Sequence, residues 1–178
     1  MKQYLLMLIA LSVCLAAFSG CNAPNEGTIE VPAAQGGSVT DQASNFPAEP
    51  PHLRISDGNA TVTAWRGTYS WLVENEDGTG SGINTDTMHP LDCKEGIPSL
   101  KMTKKGRLTL SFIEPPTTLT VRRYRLNSSD YDAYEEIPAE SGTVEVEPGN
   151  YLYEVIAVWD QPNQPYGGTV YYAFSTEK

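Results

Sequence analysis

The sequence predicts an all-β fold, an immunoglobulin-like β-sandwich of about seven strands. Apolar and polar side chains alternate in a series of short segments from residue 52 onward. These segments are rich in Thr, Val, Tyr and Trp, which are typical of strands, and turn-forming sequences separate them. No segment keeps a 3.6-residue apolar repeat over three turns, so long helices are not expected.

The first 20 residues have the features of a signal peptide. Lys2 supplies a positive charge, and a nearly unbroken apolar stretch runs from Tyr4 to Ala17. This stretch is about 14 residues long, whereas a helix needs roughly 20 to span a bilayer. Its length and position are those of the apolar region of a signal peptide, which we therefore assign to residues 1–20.

A single cysteine follows directly. The segment AFSGC, which ends at Cys21, resembles the cleavage box of bacterial lipoproteins, with the small residues Ser19 and Gly20 before the cysteine. The resemblance implies that Cys21 is lipidated with a diacylglyceryl group and becomes the mature N-terminus. Two or more acyl chains hold a protein stably to a bilayer. The predicted location is the extracytoplasmic face of the cell membrane, with the membrane itself as a partner through the lipid anchor.

Residues 21–51 form the predicted tether. They lack apolar periodicity and are rich in Pro, Gly, Ala, Asn, Gln and Ser. Such a segment buries too little apolar surface to offset the entropy lost on ordering. We therefore expect a lipidated, disordered linker over 21–51 and a folded β-sandwich domain over 52–178.

The strands of the domain are predicted from seven segments, which read ATVTAW, TYSWLVE, RLTLSFI, TLTVRRYRL, GTVEV, YLYEVIAVW and TVYYAFS in chain order. YLYEVIAVW is apolar on both faces except at Glu154, as expected of a central strand. VRRYR interrupts the alternation and predicts a bulge near Arg122. SSDYDAYEE has room for one short helix at most.

The end of the chain supports the immunoglobulin-like arrangement. The sequence PGNYLYEVIAVW is similar to the tyrosine corner that opens strand F of such domains, with Tyr151 or Tyr153 as the corner residue. The last two strands would then form an F–G hairpin joined by residues 160–168. A jelly roll and a small open barrel remain as alternatives.

Composition excludes some functions. The formal net charge of −10 argues against nucleic acid as a partner, because nucleic acids are bound through clustered Lys and Arg. Cys14 lies in the signal peptide and Cys21 is the predicted lipid site, so Cys93 is left alone and no disulfide is expected within the domain.

No motif indicates catalysis, and we predict that the protein is not an enzyme. The G-x-S-x-G, P-loop and dinucleotide-binding motifs are absent from the sequence, and the one Ser-x-x-Lys pattern, Ser175 to Lys178, has no predicted helix to hold it. Two loops carry side chains that suit metals, His89 with its acidic neighbours and Cys93, and the acidic residues of 130–136. Both are better explained as polar loops, so no metal site and no cofactor is predicted.

Aromatic residues supply the candidate binding site. Trp71 and Trp159 alternate with apolar residues and are expected in the core, whereas Trp65 precedes a predicted turn and Tyr166 lies in the predicted 160–168 loop. Exposed rings at Trp65 and Tyr166 would stack on sugars or contact a partner protein. The stiff F–G loop with Tyr166 at its tip is the candidate contact, and the alternative is an inert connection in which Tyr166 folds back onto the sheet as a packing residue.

Two longer segments carry a family resemblance. RGTYSWLVENEDGTGSGINTDTMHPLD and GNYLYEVIAVWDQPNQPYGGTVYYAFS resemble uncharacterised small lipoproteins of Gram-positive bacteria, and the domain is similar to the extracytoplasmic part of some BlaR-like sensor proteins. The resemblance spans roughly residues 60–175 and implies a surface-exposed sensing or interaction module. The alternative is binding of carbohydrate or cell-wall polymer through exposed aromatics, and a small hydrolase ranks last.

Overall fold

The computed structural model describes residues 47–178, which form two packed β-sheets with a single 3₁₀ turn at Lys94–Gly96. The all-β sandwich is confirmed, although these residues contain twelve strands where about seven are predicted. The strands are β1 Arg54–Ser56, β2 Thr61–Thr63, β3 Trp65–Glu74, β4 Gly80–Thr85, β5 Ser99–Lys101, β6 Gly106–Ser111, β7 Thr118–Arg125, β8 Tyr134–Ile137, β9 Ala139–Glu140, β10 Thr143–Val146, β11 Tyr151–Trp159 and β12 Tyr166–Glu177.

The strands divide into a small and a large sheet. The small sheet has the order β2-β1-β6-β10-β9, and the large sheet has the order β4-β3-β12-β11-β7-β8. Neighbouring strands are antiparallel in both sheets, with one exception. The last residues of β12, Ser175–Glu177, lie past the start of β3 and pair with β5 in parallel. The central position predicted for YLYEVIAVW is confirmed, because β11 pairs with β12 on one side and β7 on the other.

This order contains the immunoglobulin-like Greek key. If β11 and β12 are strands F and G, then β7 and β8 correspond to C and C′, and β1, β6, β10 and β9 correspond to A, B, E and D. The additional strands β2–β5 lie between A and B in the chain. Two of them, β3 and β4, extend the large sheet beyond strand G.

The main core lies between the two sheets. Alternate residues of β11 and β12, such as Tyr153, Val155 and Phe174, are fully buried there. They pack against the apolar faces of β1, β6 and β10, which contribute Ile55 and Leu108 among others. The period-two pattern of the sequence therefore identifies the buried face of each long strand.

The N-terminal boundary of the domain differs from the predicted one. Pro47–Pro51, assigned from sequence to the tether, pack against the large sheet. Three backbone carbonyls of this segment accept hydrogen bonds from the sheet. Trp71 Nε1 donates to Pro47 at 3.1 Å, Arg66 Nη1 donates to Pro50 at 2.7 Å, and the Tyr172 hydroxyl donates to Pro51. The domain thus begins no later than residue 47. The rest of the predicted tether lies outside the described residues.

Three local predictions have different outcomes. The pairing of β7 is continuous through Arg122, and the irregularity lies instead in β12, between Val170 and Tyr172 opposite β3. The acidic segment before β8 forms turns and no helix, which agrees with the prediction of one short helix at most. The corner bond predicted for Tyr151 or Tyr153 is not found among the described residues, and the buried Tyr153 hydroxyl has no partner with hydrogen-bond geometry.

Candidate functional site

A pocket of about 290 Å³ opens on the outer face of the large sheet, the face turned away from the main core. Tyr153 and Val155 point into that core, so Glu154 between them points outward. The pocket is bounded by the start of β3, the middle of β11 and β12, and the segment that follows β4. The lining residues that matter here are Trp65, Thr68, Met88, His89, Glu154 and Tyr171.

The segment between β4 and β5 forms one wall by folding over the outer face. Leu91 and Ile97 from this segment pack on Tyr124, Leu152 and Ala173 in a second apolar cluster. Burial of these side chains removes apolar surface from water and holds the segment against the sheet. The fold thereby gives the outer face a covered region, beside which the pocket remains open.

Glu154 supplies the charge of the site. Its exposed fraction is 5 %, and its Oε2 atom accepts a hydrogen bond from the Tyr124 hydroxyl at 3.2 Å. Arg122 Nη1 lies 3.5 Å from the same oxygen, and the Arg122 guanidinium stacks over the Tyr134 ring at 4.5 Å. Among residues 47–178 no donor forms a hydrogen bond to the second carboxylate oxygen, Oε1. One oxygen of a nearly buried carboxylate is thus available to a ligand.

Tyr124 connects the carboxylate to the covering segment. Burial, followed by the negative charge of Glu154, raises the pKa of Tyr124 to about 12. The ring also contacts His89 edge-on, with 5.5 Å between centroids. Tyr124 therefore remains a neutral hydrogen-bond donor to Glu154 over the physiological pH range.

His89 and its neighbours form the upper wall. The Nδ1 atom of His89 accepts a hydrogen bond from the backbone N–H of Leu91 at 3.2 Å, which places the proton of the neutral ring on Nε2. The ring stacks on Tyr131 at 4.2 Å, and the Tyr131 hydroxyl donates to Asp92 at 2.5 Å. These contacts link the segment after β4 to the β7–β8 connection and fix the position of the imidazole.

Trp65 lines the pocket from the opposite side, but its setting differs from the predicted one. It begins β3 instead of preceding a turn, and it is half-buried. A Cβ atom on Gly67 would lie 2.7 Å from Trp65 Cζ3, so glycine at position 67 makes room for the indole ring. No hydrogen bond from the indole N–H is found among the described residues, and the involvement of Trp65 in binding stays a prediction.

Tyr166 is not at an exposed loop tip, and that expectation is wrong. The connection between β11 and β12 comprises residues 160–165, and Tyr166 is the first residue of β12, with an exposed fraction of 9 %. Its ring stacks on Trp71 with 5.5 Å between centroids. The neighbouring Pro and Gly residues resemble a loop, but pairing with β3 and stacking on Trp71 bring this residue into the core.

The Tyr166→Ala variant is therefore expected to lose about 3 kcal/mol of unfolding free energy, because the change leaves a cavity beside Trp71. Gln161→Ala, an exposed change in the same connection, should shift the unfolding free energy by less than about 0.5 kcal/mol. Urea unfolding of both variants measures the difference. Equal stability of Tyr166→Ala and the wild type would contradict the buried position.

The raised pKa of Tyr124 predicts a loss of stability at alkaline pH. Because the folded-state pKa of about 12 lies above the value of about 10 for an unfolded tyrosine, the neutral hydroxyl stabilises the fold. This stabilisation is complete below pH 10 and is lost as the pH rises through 12, with a magnitude on the order of 2–3 kcal/mol. Burial raises the pKa of Tyr172 as well, so both groups act in the same direction.

Urea unfolding between pH 8 and pH 12 measures this loss. The Tyr124→Phe variant lacks the titrating hydroxyl and should show a smaller decline over that interval, although it starts from a lower stability. An identical decline in wild type and variant would show that Tyr124 does not contribute to the alkaline loss.

The polar residues of the site were only partly visible in the sequence. Glu154 is the single charge in an otherwise apolar strand, and Arg122 and Tyr124 lie where the alternation of β7 breaks. These two irregularities were the available signals. They meet because β7 and β11 pair in the register that places Glu154 opposite Arg122.

The remaining candidate residues are placed as follows. Cys21 lies outside the described residues. Within residues 47–178 no helix is long and apolar enough to cross a membrane, and no three His, Cys, Asp or Glu side chains are grouped as metal ligands. Cys93 is half-buried beside the second apolar cluster, and burial raises the pKa of its thiol.

The arrangement as a whole offers a carboxylate with partners at one oxygen only, an indole and an imidazole held in position by its contacts, around a small apolar pocket. Such a combination is typical of sites that bind small ligands. Comparison of the chain with protein-family models, with curated proteins and with solved structures finds no match.

Proposed function

We propose that this protein is a non-enzymatic binding module, held at the extracytoplasmic face of the cell membrane by a lipid on Cys21. The apolar N-terminal stretch and the small residues before Cys21 support the anchor. The resemblance to small Gram-positive lipoproteins and to BlaR-like sensor domains supports a role in sensing or interaction. The domain would present its binding site to molecules outside the cell.

The observation that carries the binding role is the outer-face pocket with Glu154 at its wall. A carboxylate that is nearly buried costs free energy unless it is paired, and here only one of its oxygens has partners among the described residues. Neighbouring Trp65 and Tyr171 add apolar contact surface. Buried polar groups with unused hydrogen-bonding capacity in a small pocket are typical of ligand sites.

Carbohydrate or wall-polymer binding is the second candidate function, and the position of Trp65 favours it. A half-buried indole at the edge of a pocket can stack on a sugar ring while a carboxylate accepts hydrogen bonds from its hydroxyl groups. The predicted second ring, Tyr166, is in the core and is not part of this proposal.

The anchor is tested by lipid labelling and membrane fractionation. The Cys21→Ala variant should lose incorporation of a labelled fatty acid and leave the mature membrane-bound pool, whereas Cys93→Ala should behave as the wild type does. Retention of label in Cys21→Ala would refute lipidation at this residue.

The binding role is tested by capture from a cell-surface extract. The wild-type chain should retain components that the Trp65→Ala and Glu154→Gln variants do not retain, while Glu147→Gln, a change to an exposed carboxylate, leaves capture intact. Prior treatment with soluble wall polymer should abolish capture if the ligand is a carbohydrate. Capture that is equal in all variants would refute the outer-face pocket as the binding site.

A further inference from the structure

We propose that the outer-face pocket binds a small organic cation, an ammonium group carried on a short apolar body. The inference rests on the proposed binding function and specifies its ligand. It is carried by the charge of the pocket wall, by the aromatic residues that line the pocket and by the pocket volume.

The charge of the wall favours a cation. Among the described residues that line the pocket, Glu154 is the one with a formal charge, and no Lys or Arg takes part. His89 is held in the wall by the hydrogen bond that its Nδ1 atom accepts from the Leu91 N–H. A cationic ligand is therefore attracted, whereas an anionic ligand would meet a carboxylate within a chain of net charge −10.

The pairing of Glu154 leaves room for such a ligand. Arg122 and Tyr124 both approach Oε2 from the β7 side, at 3.5 and 3.2 Å, and Oε1 has no hydrogen-bond donor among the described residues. Arg122 also stacks on Tyr134, so its charge is shared between two neighbours. A positively charged ammonium group beside Oε1 would be attracted by its charge to a carboxylate that has little access to water.

The rings and the volume define the rest of the ligand. Trp65 and Tyr171 line the pocket together with Glu154, and aromatic rings attract ammonium groups as well as hydrocarbon. The volume of about 290 Å³ is at the small end of the range for ligand pockets. These features fit one ammonium group with a few carbon atoms better than they fit an extended polymer.

The test compares a cation with its uncharged isostere. The full chain, labelled with ¹⁵N and extracted in a polyoxyethylene detergent that carries neither amine nor sugar, is titrated with choline, with 3,3-dimethylbutan-1-ol and with N-acetylglucosamine. The NMR signal of the Trp65 indole N–H reports binding, and the Trp65→Phe variant assigns it. We expect the Kd for choline to be at least tenfold lower than the Kd for the alcohol.

Matched variants connect the preference to Glu154. Glu154→Gln should remove the tenfold preference for choline, whereas Glu147→Gln should retain it. Gly67→Ala, whose Cβ would displace the Trp65 indole, should weaken binding of choline and alcohol alike without altering the charge. If Glu154→Gln fails to fold, the ratio of choline to alcohol affinity in the wild type and in Gly67→Ala still decides the proposal.

The possible results separate the two proposals. Equal affinity for choline and the alcohol, or tighter binding of N-acetylglucosamine, would overturn the proposal that the ligand is a cation. The pocket would still be a binding site. Absence of any response to the three probes would also overturn the proposal of a cationic ligand. If capture from surface extract is then also independent of Trp65 and Glu154, the proposed function fails with it.

Discussion

The Gly168→Ala variant is expected to be the most destabilised single substitution in this domain, with a loss of at least about 4 kcal/mol of unfolding free energy. Gly168 lies within β12 at a φ of +150°, which L-residues rarely adopt. A Cβ atom there would lie 1.9 Å from the Ser70 carbonyl oxygen and 3.1 Å from Trp71 Cα. Both are backbone atoms of β3, so the strand itself would have to move.

The position of Gly168 explains why movement is costly. It is the cross-strand partner of Trp71 in β3 and of Trp159 in β11. Since glycine leaves no side chain between them, the two indole rings make an edge-to-face contact with 5.4 Å between centroids. Separation of β3 from β12 would break ladder hydrogen bonds and loosen this part of the core.

Gly78→Ala is the matched control. Gly78 also has a positive φ, +78°, but no atom lies within 4 Å of the position of an added Cβ. Its substitution should cost about 1 kcal/mol, the backbone contribution alone. Urea unfolding of both variants measures the comparison, and equal losses would mean that β3 does not approach β12 as closely as the structure shows.

Truncation of Trp71 is expected to have the second largest effect. Trp71 is 1 % exposed, contacts Trp159 and stacks on Tyr166, and its indole N–H donates to the Pro47 carbonyl. The Trp71→Ala variant should lose about 4 kcal/mol, because it opens a large cavity at the centre of these aromatic rings. Denaturant unfolding measures this loss.

Two further variants provide a control for Trp71→Ala and separate the packing of the Trp71 ring from its hydrogen bond to Pro47. Leu72→Ala changes the next residue, which is 55 % exposed, and should alter stability by less than about 0.5 kcal/mol. Trp71→Phe keeps an aromatic ring but removes the bond to Pro47, so it should cost less than Trp71→Ala while increasing the backbone mobility of Ala48 and Glu49, measured by ¹⁵N relaxation. Order parameters of Ala48 and Glu49 that stay at the wild-type level in Trp71→Phe would show that this bond does not hold the segment.

The fold class was readable from the sequence because strand patterns are local. Alternation in segments such as RLTLSFI identifies a buried and an exposed face without knowledge of the neighbouring strand. Short strands were less visible. β1, β5 and β9 have only two or three residues each, too few for a period to be recognised, and the pairing of β1 with β6 and of β5 with β12 depends on partners distant in the chain.

The site itself was less predictable, and Tyr166 shows why. Pro165 and Gly167 flank it in a stretch whose composition is typical of a loop, yet β12 begins there because its backbone pairs with β3. The composition of a segment reports local turn preference, whereas burial depends on which strand lies beside it. Trp65 was identified as a candidate, and the pocket that it lines is formed by four separate segments of the chain.

The sequence by itself determined the β architecture, the central position of β11 and the likeness of its N-terminal region to a lipoprotein signal, because each follows from a local pattern of side chains. Only the tertiary structure decided that residues 47–51 pack on the sheet, that Tyr166 is in the core and that Glu154 meets Arg122 and Tyr124. The physical reason is that strand register joins residues about 30 positions apart in the chain, and a one-residue shift would turn Glu154 to the opposite face.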